Sequence, residues 1–326
     1  MKKLFCPFLV VTFLVAGPVA QAQQAKKVPL TGILTSGSSS SDSANVDGFR
    51  EGLRELGYAE GKNIMLEYRH AGGERGRLPK LASELVQLKV DVIVAGGMQS
   101  TTAAKQATST IPIVSAAAAD LVAAGVVASL ARPGGNVTGS TRISTDLSGK
   151  RLELLKEAVP KISRVAVLAS STAALDRVEV KEIEAAARHL GVKLQTVDVR
   201  DPKDFQGAYA AMIREHAGGV IILSGSFTTF HHKQLVDLAL KNRLPSMCEG
   251  LLFTEAGCLM SYGPDVPYLW RRAAVFVDKI LKGRTPADLP VEQPMKFELL
   301  INLKTAKQLG VTIPQWTLMK ADRVIR

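Results

Sequence analysis

Cysteine, aromatic residues and long apolar runs are all scarce in this chain of 326 residues. The three cysteines are Cys6, Cys248 and Cys258. So few exclude the dense disulfide scaffold of small secreted domains. Beyond the first twenty or so residues, no stretch approaches the ~18 consecutive apolar residues that a membrane-spanning helix requires. Runs of like charge are missing too. The lysines and arginines behind the net charge of +11 are dispersed, as at Lys150-Arg151, Arg271-Arg272 and Lys279. Such a pattern reads as a solvated surface with weak attraction for anions, and no nucleic-acid partner is expected. Catalytic signatures are absent as well: no GxxxxGK[ST], no GxGxxG after the first strand, no HExxH, no CxxC and no GxSxG. Among the histidines, only His231-His232 suggests a metal site. Neighbours on a helix point about 100° apart and rarely share one ion, so the pair reads as a solvated helix start. The chain is expected to be no enzyme, with no catalytic residue, metal or cofactor.

What is present begins with the N-terminus. Lys2 and Lys3 precede an uncharged apolar run at 4–16, and Ala20-Gln21-Ala22 forms a small-x-small site. Residues 1–22 have the layout of a secretory signal peptide, too short for an anchor. Cys6 lies inside the apolar run, not at its end, so a lipidated N-terminus is not expected. The mature chain is expected to be soluble and exported to the periplasm, as a monomer.

A short apolar run, a turn and an amphipathic stretch then recur. The runs lie at 30–34, 64–68, 90–95 and 111–116, then at 165–169, 192–197, 220–223, 245–247 and 259–262. Between them, Val46-Phe49-Leu53-Leu56, Leu78-Leu81-Leu85-Leu88, Leu152-Leu155-Val159 and Leu235-Leu238 follow helical spacing. Strands apolar on both faces and separated by helices read as parallel βαβ units. The series breaks at Pro133-Gly134-Gly135-Asn136-Val137-Thr138-Gly139, where a sharp turn is expected. The break argues for two α/β lobes and against one eightfold barrel. Residues 265–282 read as a further helix, 284–297 as an extended proline-rich surface segment, and 304–309 as a short helix.

In open α/β sheets, ligands sit beyond the carboxyl ends of the strands. Those ends carry small polar residues here. The candidates are Ser36, Gly37, Ser38 and Ser39 after the first run, and Gly97, Met98, Gln99 and Ser100 after the third. Ala117 and Asp120 follow the fourth. In the second series they are Ser171, Thr172, Phe227, Thr228, Glu249 and Tyr262. Glycines and hydroxyls ahead of helices leave N–H groups free for a carboxylate, while Asp120 or Glu249 suits an amine. Any one of these loops reads more plainly as an ordinary helix cap. Their recurrence on both lobes favours a ligand cleft. Only Phe227, Phe230, Phe253 and Tyr262 bring aromatic rings near it, which favours an amino acid or small organic carboxylate over a sugar.

Several segments resemble, in order, the substrate-binding proteins of ABC transporters, in their tryptophan-type, uncharacterised branch. They include the stretch from Phe49-Arg50-Glu51-Gly52 to Gly57-Tyr58, Asp91-Val92-Ile93-Val94-Ala95-Gly96-Gly97, and Thr110-Ile111-Pro112-Ile113-Val114. The stretches 129–139 and 259–265 match as well, and within them Pro133-Gly134-Gly135-Asn136-Val137-Thr138-Gly139 and Met260-Ser261-Tyr262-Gly263-Pro264-Asp265 are specific to the branch. The tail, Pro286 to Pro294 and Asn302-Leu303-Lys304-Thr305-Ala306, matches too. The resemblance implies a type I periplasmic binding fold: two doubly wound, Rossmann-like lobes joined by three hinge strands. The lobes would be 23–138 with about 263–290, and 139–262 with about 291–326. It implies a periplasmic solute receptor that hands a small-molecule ligand to ABC permease and ATPase subunits. A ligand-sensing subunit for a membrane receptor is the alternative, and an exported α/β hydrolase, which lacks its nucleophile elbow here, a weaker one. Two departures face the expected cleft. Ala119-Asp120-Leu121 stands where the family has Gly-Asp-Pro, and Ser170-Ser171-Thr172 replaces an Asn-Pro loop.

Cys248 and Cys258 are expected to be free thiols. With Cys248 at the end of one strand and Cys258 at the start of the next, parallel one, strand length alone would separate them by more than ~10 Å. A disulfide needs Cα atoms within roughly 7 Å. The nine intervening residues are few for a crossover, and a hairpin there would bring the cysteines together.

Overall fold

The computed structural model describes residues 27–142, 147–170 and 174–326, so the expected signal peptide lies outside the described residues. The first sheet holds β1 (Leu30–Thr35), β2 (Met65–His70), β3 (Val92–Gly96), β4 (Ile113–Ala118) and β5 (Val137–Thr141). They are parallel, in the order β2-β1-β3-β4-β5. The second sheet holds β6 (Arg164–Ala169), β7 (Lys193–Asp198), β8 (Val220–Ile222), β9 (Ser246–Cys248), β10 (Met260–Pro264), β11 (Phe297–Asn302) and β12 (Arg323–Ile325). Its order is β12-β11-β10-β9-β8-β6-β7, with β11 antiparallel to β10 and the other pairs parallel.

The helices are α1 (Ser43–Glu55), α2 (Leu78–Gln87), α3 (Gly97–Ala107), α4 (Ser148–Ala158), α5 (Ala174–Leu190) and α6 (Asp204–Arg214). They continue as α7 (Ser226–Phe230), α8 (His232–Lys241), α9 (Leu251–Glu255), α10 (Val266–Leu281), α11 (Leu303–Leu309) and α12 (Gln315–Met319). Side chains alternate across each strand, and both faces are covered. Ile93 and Ala95 pack with Leu81 and Leu85 of α2 and Ala104 of α3. Val92 and Val94 pack with Phe49 and Leu53 of α1 and Trp270, Phe276 and Val277 of α10. In the second sheet, Val165 and Val167 meet Leu152, Leu155 and Ile183, while Ala166 and Leu168 meet Phe205, Met212 and Leu235. Burial on both faces is why these strands read as apolar runs without alternation.

The chain leaves the first sheet after Thr141, returns after β10 to lay α10 against α1, and goes back through the 290s to β11. Two of these passages lie together. Thr141 N–H donates to Glu292 O at 2.9 Å, and Glu292 N–H to Gly139 O at 2.8 Å.

Three strands depart from the sequence expectation. β5 occupies the glycine-rich segment read as a turn. A Cβ at Gly139 would lie 2.2 Å from Ser115 O, so the glycine lets β5 close onto β4, where the register shifts between Ser115 and Ala118. β11 and β12 also pair with the sheet; β11 carries the buried run Leu299-Leu300-Ile301, which the sequence reading did not assign to a strand, and β12 has only Val324 and Ile325.

The cysteine expectation is corrected. Cys248 and Cys258 form a disulfide with Cα atoms 6.6 Å apart. β9 and β10 are indeed parallel, with Met247 opposite Met260. However, Cys258 is not in β10. It lies two residues earlier, in the turn out of α9, where its N–H donates to Phe253 O at 2.9 Å. α9 has only five residues. The chain therefore comes back beside the end of β9 instead of one strand length away.

Candidate functional site

Beyond the carboxyl ends of the strands, a cavity of about 380 Å³ opens between the two sheets. The first lobe lines it with Thr35 at the end of β1 and Ser36 and Gly37 beyond it, Gly96 at the end of β3 and Gly97 beyond it, and Ala116 and Ala117 of β4. From the second come Ser224 and Gly225 after β8, and Glu249 and Gly250 after β9. Rings are supplied by Phe230, Phe253 and Trp270. Among the described residues, five helices begin at this cavity: α1 behind Asp42, α3 behind Gly96, α7 behind Gly225, α9 behind Gly250 and α10 behind Asp265. The first turns of α1, α3, α7 and α9 carry N–H groups without intrahelical partners and the positive end of each helix dipole, which favour a carboxylate; in α10, Pro267 has no N–H and Asp265 already accepts from Tyr268 N–H at 3.0 Å.

Ala117 has φ of +57°, the left-handed region that residues with a Cβ seldom adopt. Ser140 Oγ accepts its N–H at 3.1 Å. Strain of this kind gathers at ligand sites held by their surroundings.

A buried chain of charge lies behind the cavity. Arg142, just past β5, places Nη1 3.1 Å from Glu249 Oε1 and 3.3 Å from Ser224 Oγ. Arg151 of α4 donates from Nη2 to Glu249 Oε2 and from Nε to Tyr262 O, both at 2.8 Å. Glu179 of α5 sits 3.7 Å from Arg151 and accepts from Ser148 Oγ at 3.1 Å. Burial pushes the Glu179 carboxyl up, and Arg151 only partly offsets it. Arg142, just past β5, is thus tied to Glu249 directly, and Tyr262 of β10 is tied to it through Arg151. The cavity lining holds Asp42, Glu249, Glu255, Asp265 and Glu298 against Arg142 and Arg323. Asp42 Oδ2 is buried and has no hydrogen-bond donor among the described residues. Glu249 is neutralised by Arg142 and Arg151, and Glu298 by Lys296 at 3.0 Å. That leaves Asp42, with His70 Nδ1 3.7 Å away, and Glu255 and Asp265 against Arg323, so the wall still favours a ligand with positive charge among its groups.

The lobes also touch beside the cavity. Gly73, after β2, lies against the ring of Phe230. The Arg75 guanidinium stands over the Phe227 ring, 5.7 Å from its centroid. Burial raises the Asp176 carboxyl of α5 to about 6, opposed by the Ser170 N–H at 2.6 Å and by the charge of Arg75.

Of the residues nominated from sequence, Ser36, Gly37, Gly97, Ala117 and Glu249 line the cavity. Ser38 and Ser39 do not. Ser38 is locked in a turn, its N–H donating to Ser41 Oγ at 2.8 Å, and Ser39 is exposed. Met98 packs on the first lobe's core, Gln99 is half-buried away from the cavity, and Ser100 is fully buried. Asp120 caps its own loop, accepting from Val122 and Ala123 N–H. Phe227 packs against Phe205 and His231. The Thr228 hydroxyl donates to Leu223 O, and the Tyr262 ring packs on Phe297. Ser171 and Thr172 lie outside the described residues. His232 is buried, not solvated, and shares a hydrogen bond with Thr229 O. Sequence reasoning passed over Asp42, Arg142 and Trp270. Asp42 carried a signal, as an acidic residue directly ahead of a helix. Trp270 carried none, because nothing local says that α10 returns to the first lobe.

Comparison with known proteins agrees with this architecture. A tyrosine-binding protein of Clostridioides difficile is 28% identical over 268 residues, covering 81% of this chain and 76% of its own. A conserved domain protein of Vibrio cholerae, 28% identical, gives a TM-score of 0.84 over 91% of this chain and 100% of its own. A Streptococcus domain in complex with L-Trp, 25% identical, also gives 0.84, over 91% and 99%. A ligand-free, open substrate-binding protein of Clostridium difficile has the same identity and coverage but a TM-score of 0.68. The proteins matched are solute-binding proteins, not enzymes. The family of ABC transporter substrate binding proteins matches residues 31–325, and the chain belongs to it, with the type I periplasmic binding fold.

Proposed function

We propose that the chain is the periplasmic receptor of an ABC importer and that its ligand is a free amino acid, which it delivers to the permease and ATPase subunits. The observation that carries this reading is the cavity wall. Helix N-termini from both lobes offer N–H groups to a carboxylate, and an excess of side-chain carboxylates faces the same space and suits an ammonium. A simple organic carboxylate would satisfy only the first set. Phe230, Phe253 and Trp270 add apolar surface for the side chain, which supports an aromatic amino acid. The tyrosine-binding relative and the L-Trp complex point the same way. The disulfide supports export, because such bonds persist in oxidising compartments.

Thermal denaturation of the mature protein against the twenty amino acids and a set of small organic acids tests the reading. A ligand at 100 times its Kd stabilises the folded state by about 2.7 kcal/mol, and L-tyrosine or L-tryptophan is expected to do so. Stabilisation by organic acids alone would remove the amino-acid assignment.

A further inference from the structure

The cysteine pair encloses much of the second lobe's contribution to the cavity. Between Cys248 and Cys258, ten positions apart, lie the lining residues Glu249, Gly250, Leu251, Leu252, Phe253 and Glu255. Beyond the pairs of Glu249 with Arg142 and Arg151, little in this stretch makes it rigid by itself. β9 has three residues and α9 five, and a helix that short is marginal without outside support. The support is gathered at the base of the loop. Thr254 Oγ1 donates to Ser261 Oγ at 2.7 Å, Asn302 Nδ2 to Thr254 O at 2.9 Å, and Thr305 Oγ1 to Gly257 O at 2.9 Å. The disulfide closes that base. Both cysteines are fully buried, in one cluster with Phe253, so a reductant in solution does not reach the bond in the folded protein. That burial suits a permanent tie, not a switch.

We propose that Cys248 and Cys258 are positioning residues for ligand binding: their bond holds Glu249 and α9 in the geometry of the cavity wall before the ligand arrives. The proposal rests on the amino-acid receptor reading for its ligand, but not for its structural part. Pre-ordering the wall removes a cost otherwise met at binding, which raises affinity mainly by slowing dissociation.

Two variants test it, Cys248→Ala/Cys258→Ala and Cys248→Val/Cys258→Ala, the second refilling part of the lost volume. Amide exchange is read first, without ligand. Amides 249–257 are expected to exchange at least about tenfold faster in both variants, while those of β6 and β8 keep their protection. Calorimetric titration with L-tryptophan and L-tyrosine is read second, with roughly tenfold weaker binding expected of whichever the parent binds. Uniform acceleration across the second sheet would overturn the proposal, as would unchanged exchange at 249–257 or a lower Tm with unchanged affinity. So would failure of both variants to fold, since a tie confined to one loop leaves the lobe standing. If the parent protein binds neither amino acid, the receptor reading for these ligands fails, and the exchange pattern still decides whether the disulfide holds the wall.

Discussion

Gly73 offers a direct test of whether the lobes close on their ligand. It follows β2 in the first lobe at φ of +84°. A Cβ there would fall 2.4 Å from Phe230 Cδ1 in the second lobe. Gly72, next to it at φ of +67°, has only Arg77 Nη1 of its own lobe near, at 3.5 Å. Alanine at either position carries the left-handed backbone cost of about 1–2 kcal/mol. That cost is the same with the lobes open or closed. It lowers Tm and cancels out of ligand binding. The collision with Phe230 exists only when the lobes are closed, and overpacking of this kind costs about 1–3 kcal/mol. Gly73→Ala is therefore expected to bind about 5- to 150-fold more weakly than the parent, and Gly72→Ala to bind as the parent does. Both should melt at similarly lowered temperatures.

Calorimetric titration of the two variants side by side is the assay. Adding Phe230→Ala to each background separates the contact from Phe230's own place in the cavity, because only the Gly73 background should show coupling in the double-mutant cycle. Equal affinity of Gly72→Ala and Gly73→Ala would refute the reasoning, because the Gly73–Phe230 contact would then form no part of the ligand-bound state.

Glu249→Ala strips the buried Arg151 of a partner at 2.8 Å; breaking a buried pair costs about 3–5 kcal/mol, and urea unfolding should show that loss with an unchanged m-value. Asp176 has its carboxyl raised from 3.8 to about 6 by burial, so the stability it contributes is complete below pH ~4 and lost as pH rises through 6. Asp176→Asn should therefore gain about 2–3 kcal/mol on the parent between pH 4 and pH 7; a difference in stability that does not change with pH would count against the shift. Alkylation of the unfolded, unreduced protein should leave Cys248 and Cys258 unmodified, and both should react once a reductant is added.

The architecture was legible because the strands are buried on both faces, and Val92 to Ala95 or Val165 to Leu168 cannot be read as anything but core. Of the strands that escaped notice, β5 and β12 lack that signature. β5 is Val-Thr-Gly-Ser-Thr, and β12 is three residues with partial exposure. β12 sits at a sheet edge, where one neighbouring strand is missing and the demand for apolar residues falls, whereas β5 is fully buried and carries small hydroxyl residues whose side chains bond the backbone, as Thr138 does Leu289 O at 2.6 Å. At the cavity, the nominated residues that line it are Ser36, Gly37, Gly97, Ala117 and Glu249, and several of the others lie further along the chain, inside the helices. α3 begins at Gly97 itself, so Ser100 is already in the first helical turn and faces inward. Thr228 likewise belongs to α7, where its hydroxyl serves the backbone. Residues that meet the cavity are those at the corner between strand and helix, and that corner is fixed by hydrogen bonding that a propensity pattern locates only within a few positions.

The two halves of the cavity wall are built differently, and the disulfide follows from that difference. In the first lobe the wall hangs on β1 and β4, of six residues each, and on α1 and α3, of thirteen and eleven. In the second it hangs on β8 and β9, of three residues each, and on α7 and α9, of five. Elements of that length bury little surface and have few internal hydrogen bonds, so their conformational entropy must be met from outside. Cross-links meet it: Thr228 to Leu223, Thr254 to Ser261, Asn302 to Thr254, Glu249 to two arginines, and Cys248 to Cys258. Strand length alone is expected to hold the cysteines apart, but the nine-residue crossover is too short to carry a full helix, and they lie 6.6 Å apart between Cα atoms. The same brevity that brings them within bonding distance leaves the wall between them in need of the bond.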